Sequence, residues 1–281
     1  MMNITFQNDF GKILMTGGGK GPAWKIKEIT GLGIPEKSFA YNTFAGVAGQ
    51  ELSSVSVLAR TITMNVDIDC RSPQISMSRA ACILNADGVL TIHHGTKHRA
   101  ISCRCTSFTK TEKKAAFFEA TLQFVADNPY FHDCEEKRVV ISRKNDKLTF
   151  PFHLPVTFSE RVNSTDLVVS GEEASEPVIY IFGDDPENTD YDDNSITIVN
   201  KTANAFLKLN YKISYGEQIK IDIPNREITS NLRERMFQYL SDDSFFSSFV
   251  LLSGANEIEC RTNVRINAYI LFQNNYLEAM Y

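Results

Sequence analysis

The sequence predicts a mainly β protein of two domains, and three observations carry that expectation. Apolar and polar residues alternate with a period of two over several stretches, the pattern of sheets wet on one face. Phenylalanine is abundant, 19 residues against a single Trp, and aromatic side chains fit a pleated surface better than a helix. Turn formers such as Pro224-Asn225 and Ser253-Gly254-Ala255-Asn256 separate the apolar runs at short intervals. At 281 residues the chain exceeds one average domain, and two of about 130–150 residues are expected.

Residues 1–70 read as strands and loops. Gly17-Gly18-Gly19-Lys20-Gly21-Pro22 marks a turn before Trp24-Lys25-Ile26-Lys27-Glu28-Ile29, which alternates cleanly. Phe44–Gln50 is too glycine-rich to hold a strand and reads as a loop or hairpin tip. Arg60–Asp69 is the longest strict alternation: Ile62, Met64, Val66 and Ile68 face a core, and Thr61, Thr63, Asn65, Asp67 and Asp69 face away. One helix follows, over 73–85. Ser72 is placed to cap it, Pro73 suits its first position, and Ile75, Arg79, Cys82 and Ile83 recur at helical spacing.

Val89–Ile92 then turns at Gly95, and Ala100–Phe108 turns at Thr109–Lys114 into Ala115–Val125. Asp127-Asn128-Pro129-Tyr130-Phe131 breaks the pattern, because proline biases Asn128 away from the helical region. Cys134–Lys147 is charged, and Phe150-Pro151-Phe152-His153-Leu154-Pro155 reads as an extended crossing segment. The expected layout is therefore a domain over 1–132, a crossing linker over 133–155 and a second domain over 156–281. In the second, strands recur about 8–14 residues apart, as in a sandwich. Gly216–Asp222, Ser244-Phe245-Phe246 and Gly254–Ile258 are read as strands there, with Ile219, Ile221 and Ile223 facing inward. Over 232–240 the apolar residues fall at helical spacing, but the neighbourhood favours a strand.

Composition narrows the function. A formal net charge of −5 argues against nucleic-acid binding, which needs a clustered basic face. No apolar run approaches the roughly 18 residues of a membrane helix, and the N-terminus lacks the basic start and apolar core of a signal peptide. A protein made and retained in a cytoplasm is expected, and its six cysteines, Cys103 and Cys105 among them, are expected to be free thiols.

Candidate chemistry is sparse. Gly17–Gly21 fails as a phosphate loop, since Leu14 stands where the first glycine belongs and Gly21 where Ser or Thr belongs. Asp190-Tyr191-Asp192-Asp193-Asn194 fails as a calcium loop, since Ser195 and Lys201 occupy the glycine and glutamate places. His93-His94, with His98 a few residues on, could be read as metal ligands, but His93 and His94 point to opposite faces of a strand and cannot share an ion without a bulge; these three, with His132 and His153, read as ordinary turn and surface histidines. Lys110–Lys114 reads as a solvated hairpin tip. No catalytic, cofactor-binding or metal site is expected.

The order and spacing of several motifs carry a resemblance. These are Ile29-Thr30-Gly31-Leu32-Gly33, Gly46-Val47-Ala48-Gly49-Gln50, Arg60-Thr61-Ile62-Thr63, the helix at 73–85 and Asn128-Pro129-Tyr130-Phe131. Further on come Phe150-Pro151, Gly216–Asp222, Ser244-Phe245-Phe246 and Leu252-Ser253-Gly254-Ala255-Asn256. Over nearly its whole length the chain resembles the distal tail protein family of long-tailed, siphophage-type bacteriophages and prophages. The resemblance implies an N-terminal belt domain, split-barrel or sandwich-like with one helix, and a C-terminal galectin-like β-sandwich. It also implies a homo-oligomeric ring, usually of six copies, in a virion tail assembled in the bacterial host cytoplasm. Such a ring joins the tail tube protein to the tape-measure protein and to the tail-tip hub or receptor-binding protein. The family often has a glycine turn where this chain has Ser230–Arg235, and the acidic loop 183–194 is an elaboration.

Two other functions compete. A carbohydrate-binding module would show exposed aromatics, yet the single Trp24 lies in the other domain. A glycan hydrolase needs two carboxylates about 5–10 Å apart; Asp166 and Glu172, or the acidic loop 183–194, are nominees that no pattern selects. For a ring, Phe39–Gln50 is the expected closing arm, with Phe39, Tyr41 and Phe44 on a segment that gains pairing by adding to a neighbour's sheet edge.

Overall fold

The computed structural model describes residues 2–17, 24–46, 48–69, 76–113, 117–146, 159–187, 189, 193–244 and 246–279. The first strands are β1 (Met2–Asn8), β2 (Gly11–Thr16), β3 (Trp24–Thr30), β4 (Lys37–Asn42), β5 (Glu51–Val57) and β6 (Arg60–Asp69). Helix α1 (Met77–Leu84) follows, then β7 (Gly88–His94), β8 (Lys97–Lys113), β9 (Phe117–Ala126) and β10 (Phe131–Asp133). Next come β11 (Lys137–Asp146), β12 (Ser159–Val162), β13 (Ser164–Val169), β14 (Val178–Gly183) and β15 (Ile196–Asn200). The last are β16 (Ala205–Leu209), β17 (Gln218–Asp222), β18 (Glu227–Ser230), β19 (Gly254–Thr262), β20 (Ile266–Phe272) and β21 (Asn275–Tyr276). These elements form two compact units, Met1–Cys134 with Asn275–Tyr281, and Glu135–Asn274. The second unit is thus inserted in the first.

In the first unit β8 pairs with β7 over Lys97–Cys103 and with β9 over Arg104–Lys113. By changing partner midway it closes seven strands, β8-β7-β1-β2-β3-β6-β9, into a barrel-like ring. Bulges between Cys105 and Ser107 and between Lys110 and Glu112 bend the long strand. All these neighbours are antiparallel except β2 and β3. Strands β10 and β21 continue the sheet outward from the Arg99–Ala100 region of β8. The alternation of β6 is as expected, with Ile62, Met64, Val66 and Ile68 buried. Phe6 and Phe124 meet at the centre with ring centroids 5.0 Å apart. Helix α1 presents Ala80, Ile83 and Leu84 to this core, and Ser76 caps it by accepting from the Arg79 N–H. The helix starts at Met77 rather than at residue 73; Ser72, Pro73 and Ile75 lie outside the described residues.

The second unit is an antiparallel sandwich. One sheet has the order β12-β11-β20-β14-β17-β18, the other β13-β19-β15-β16. Ile179, Ile181, Ile219, Ile221 and Ile270 of the first sheet and Ile198, Leu207, Leu209 and Ile258 of the second lie in one buried cluster. Buried polar side chains clamp its turns. Gly216, at φ 75°, turns the chain into β17. Beside it Glu217, 1% exposed, accepts from the Tyr211 hydroxyl, the Ser230 hydroxyl and the Ser214 N–H. Asp222 accepts from the Asn225 N–H at 3.0 Å and pairs with Lys220 at 2.6 Å. Asn256 accepts from the Leu252 N–H and donates to the Leu252 and Gly254 carbonyls.

Several expectations are corrected. The stretch read as linker carries β11, whose Ile141 is fully buried among charged neighbours, and residues 275–281 lie with the first unit rather than the second. The turn expected at Thr109–Lys114 begins later, because β8 stays paired with β9 as far as Lys113. Residues 232–240 form no strand: the Ser230 hydroxyl accepts from the Leu232 and Arg233 N–H groups, and a short helical turn follows at Phe237–Tyr239. Of the periodic residues only Met236 is fully buried, while Leu232 and Phe237 are exposed. Phe246 opens a second helical turn, Phe246–Ser248, where a strand was expected. Phe150–Pro155 lies outside the described residues.

Replacing Glu217 by Gln sets an amide N–H among groups that already donate. Glu217→Gln is expected to lower the unfolding free energy by about 1–3 kcal/mol, read as a lower urea midpoint at unchanged slope. An unchanged midpoint means the clamp contributes nothing.

Candidate assembly surface

Strands β4 and β5 form a two-stranded sheet of their own, paired with no other strand among the described residues. Every residue of both strands is exposed. The register sets Lys37 opposite Val57, Phe39 opposite Val55 and Tyr41 opposite Leu52, with a bulge between Ala40 and Tyr41. Opposed residues share a face, so Phe39, Tyr41, Leu52, Val55 and Val57 make one apolar face of the ribbon. Ser38, Ser56, Ala40 and Ser54 make the other. Phe39 and Tyr41 are 50% and 53% exposed, where the first unit's core aromatics are fully buried. Gly46 and Gly49, at φ 82° and 102°, shape the tip that joins the strands.

The root of the ribbon is held by one side chain. Leu58 donates to the Glu36 carbonyl at 2.9 Å and closes the base. Two residues on, Arg60 is 4% exposed, and its guanidinium donates only to backbone carbonyls. Nη1 reaches the Gly31 carbonyl at 2.7 Å and that of Gly33 at 2.5 Å, Nε reaches that of Pro129 at 2.5 Å, and Nη2 reaches that of Leu277 at 2.8 Å. The ring of Phe131 lies 4.5 Å from its centre. Burial pushes the Arg60 pKa down to about 10, still well above neutrality, so the group stays charged. Gly31 lies against this knot at φ 87°, and a Cβ there would stand 2.1 Å from the Thr61 carbonyl oxygen. Arg99 holds the same C-terminal segment, donating to the Glu278 carbonyl with its guanidinium 3.7 Å from the Tyr276 ring centre. The sequence signal for Arg60 is its parity: it falls in step with Ile62, Met64, Val66 and Ile68.

The other residues nominated from the sequence do not converge. Asp166 and Glu172 are both exposed and line neither of two surface cavities, of about 600 and 350 Å³. The larger is a paired polar ladder, in which Lys27 bridges Glu119 at 2.7 Å and Asp67 at 3.4 Å. Asp190–Asp192 lie outside the described residues. Of that acidic loop, Asp185 folds inward, accepting from the Thr189 N–H, and Asp193 accepts from the Ser195 N–H. Gly18–Gly21 and His153 also lie outside the described residues, and His132 bonds the Asp133 carbonyl. Trp24 is 3% exposed and stacked on Phe108, so it offers no sugar platform. Cys82, Cys103, Cys105, Cys134 and Cys260 form no disulfide, Cys70 lies outside the described residues, and burial pushes the Cys103 thiol up to about 12. Among the described residues no three His, Cys, Asp or Glu side chains gather as a metal cluster. Among them, too, no helix is long and apolar enough to cross a membrane.

Comparison with known proteins gives the fold a context. Residues 187–276 match the family model described as siphovirus-type tail component, C-terminal domain. No curated protein matches. The chain is similar in structure to the Dit protein of phage SPP1, described as a paradigm of the hub adsorption apparatus in phages infecting Gram-positive bacteria. The TM-score is 0.68 at 14% identity, over 98% of this chain and 99% of that one. A chain of the phage P2 baseplate in its activated conformation with calcium matches at TM-score 0.53 and 10% identity, over 97% of each chain. The strontium form gives 0.51 and 10%, over 96% of this chain and 98% of that one. At these identities the likeness is one of fold.

Two substitutions separate root from face. Arg60→Met strands four carbonyls and is expected to cost about 3 kcal/mol or more. Phe39→Ser with Val55→Ser, at half-exposed positions, is expected to cost less than about 1 kcal/mol. Denaturant titration at low protein concentration measures both; equal costs would contradict this division.

Proposed function

We propose that this chain, which carries the C-terminal domain of the siphovirus-type tail component, is a distal tail protein, a ring-forming adaptor in a phage or prophage tail. The observation that carries the reading is the β4–β5 ribbon. An isolated two-stranded ribbon is at best marginally stable in water, and this one turns to solvent a face of five apolar residues with Lys37 at its base. Such a face gains stability when covered, and a second copy of the chain is the occupant that symmetry provides. Copies repeating one head-to-tail contact close into a ring when the rotation closes. A six-copy ring would match a six-fold tube, with the tail tube and tape-measure proteins on one side and the tip hub or receptor-binding protein on the other. The described residues nominate no catalytic constellation, and the role requires none. The carbohydrate-binding alternative has no observation in its favour.

Native mass measurement of the full chain at about 0.15–0.5 M salt, where surface repulsion is screened, is expected to show six-fold species that form with rising concentration. Replacing residues 36–58 by a short Gly–Ser turn is expected to abolish them while the chain stays folded, since Glu36 and Leu58 already meet at the base of the ribbon. Rings that persist without the ribbon would place closure elsewhere. A full-length chain that stays monomeric at every concentration would overturn ring formation by this chain alone.

A further inference from the structure

Two histidines face one another across the turn between β7 and β8. Residues 93 and 98 are equidistant from the Gly95–Thr96 turn, so the antiparallel register makes them direct partners. Their rings meet edge to face, with centroids 4.8 Å apart and Nδ1 2.8 Å from Nδ1. On β1, Asn3 stands opposite His93, and on β2, Thr16 stands opposite Asn3. Opposed residues share a face, so four polar side chains form one row across four strands. Asn3 Oδ1 and Thr16 Oγ1 are buried and have no hydrogen-bond partner. Asn3, His93 and His98 line one cavity, with Lys12 also in its wall.

Two imidazoles at this distance share one hydrogen bond, and on the neighbouring strand Asn3 Oδ1, in the wall of the same cavity, has no partner. We propose that His93 and His98 form a two-imidazole site for a divalent first-row transition cation, with copper, nickel and zinc as its class. A metal about 2.1 Å from each nitrogen sets the nitrogens about 3.0 Å apart when the two bonds make the right angle of copper or nickel, and about 3.4 Å apart at the tetrahedral angle of zinc. A slight opening of the pair therefore admits the ion. Imidazole selects this class over calcium and magnesium, which take oxygen ligands. Water fills the remaining positions, and Asn3 Oδ1 accepts from a metal-bound water, as outer-shell carbonyls do elsewhere. The ladder fixes both histidines in advance, so little conformational freedom is lost on binding. Burial, His98 and Lys12 all hold the His93 pKa below its ordinary value. Lys12 is also the cation that faces the site, and it works against affinity.

The test is calorimetric titration of the untagged, full-length protein with Ni²⁺, and separately with Zn²⁺ and Ca²⁺. One Ni²⁺ or Zn²⁺ is expected per chain, with no heat of binding from Ca²⁺. His93→Ala or His98→Ala is expected to weaken Ni²⁺ binding by about tenfold or more, and Asn3→Ala by less. Binding is also expected to fade from about pH 7.5 to 5.5 as protons compete for the imidazoles. Both histidines sit at the surface end of the ladder, so the metal-free variants should melt with the parent. Copper electron-spin resonance of the unaltered chain supplies a second readout, with two coordinated imidazole nitrogens expected. Ni²⁺ binding that survives the double variant His93→Ala/His98→Ala, or a copper spectrum with fewer than two nitrogens, would overturn the site. So would the absence of saturable binding by the parent.

Discussion

Everything in the first unit depends on one buried charge without a carboxylate partner. Arg60 satisfies its guanidinium with the carbonyls of Gly31, Gly33, Pro129 and Leu277. A buried ion left bare is expensive, so the four carbonyls and the Phe131 ring must all be in place at once. That requirement ties together segments far apart in sequence: the chain entering the β4–β5 ribbon, the end of β9 and the C-terminal return. Lysine, a point charge with no planar fork, has no way to reach four acceptors in these directions. The motifs that carry the family resemblance in the first half, around Gly31, Arg60 and Pro129, are three sides of this one knot.

The second unit answers the same problem of buried polarity with turn clamps. Glu217, Asp222, Asn200 and Asn256 are each at most 3% exposed, and each bonds backbone or hydroxyl groups at the edges of the sandwich. Polar residues that by type alone look like candidate chemistry are here the fasteners of loops. Their geometry needs a particular atom at a particular place, whereas the apolar core needs only volume and pattern. A fold held this way can keep its shape while most positions change, which is consistent with a TM-score of 0.68 at 14% identity.

How much was legible follows from where each residue's partner lies. The alternation of Arg60–Asp69 and the helical spacing before Asn85 are local signals, and each marks an element of the type it predicts. Strand β11 was hidden because its charged residues outnumber the two, Val139 and Ile141, that face the sandwich core. Over 232–240 the helical spacing of Leu232 and Phe237 had no core behind it; the Ser230 hydroxyl decides that turn. The exposed face of the ribbon was half visible. Phe39, Tyr41 and Phe44 were in view, but the opposing Leu52, Val55 and Val57 need the register to join them. His93, His94 and His98 were in view together, but only the register across the turn shows that His93 and His98 are direct partners while His94 faces away.

The return of β21 to the first unit has a consequence for how the chain is made. Residues 135–274 emerge from the ribosome between the two parts of the first unit, and Leu277 is synthesised after all of them. Until then Arg60 lacks one of its four acceptors. The seven barrel strands, which end at Ala126, precede the sandwich, but the first unit gains its last segment only after the sandwich has its full sequence. The order of synthesis leaves the ribbon's root incompletely anchored while the chain is unfinished, and a nascent chain offers its apolar face on a loosened base.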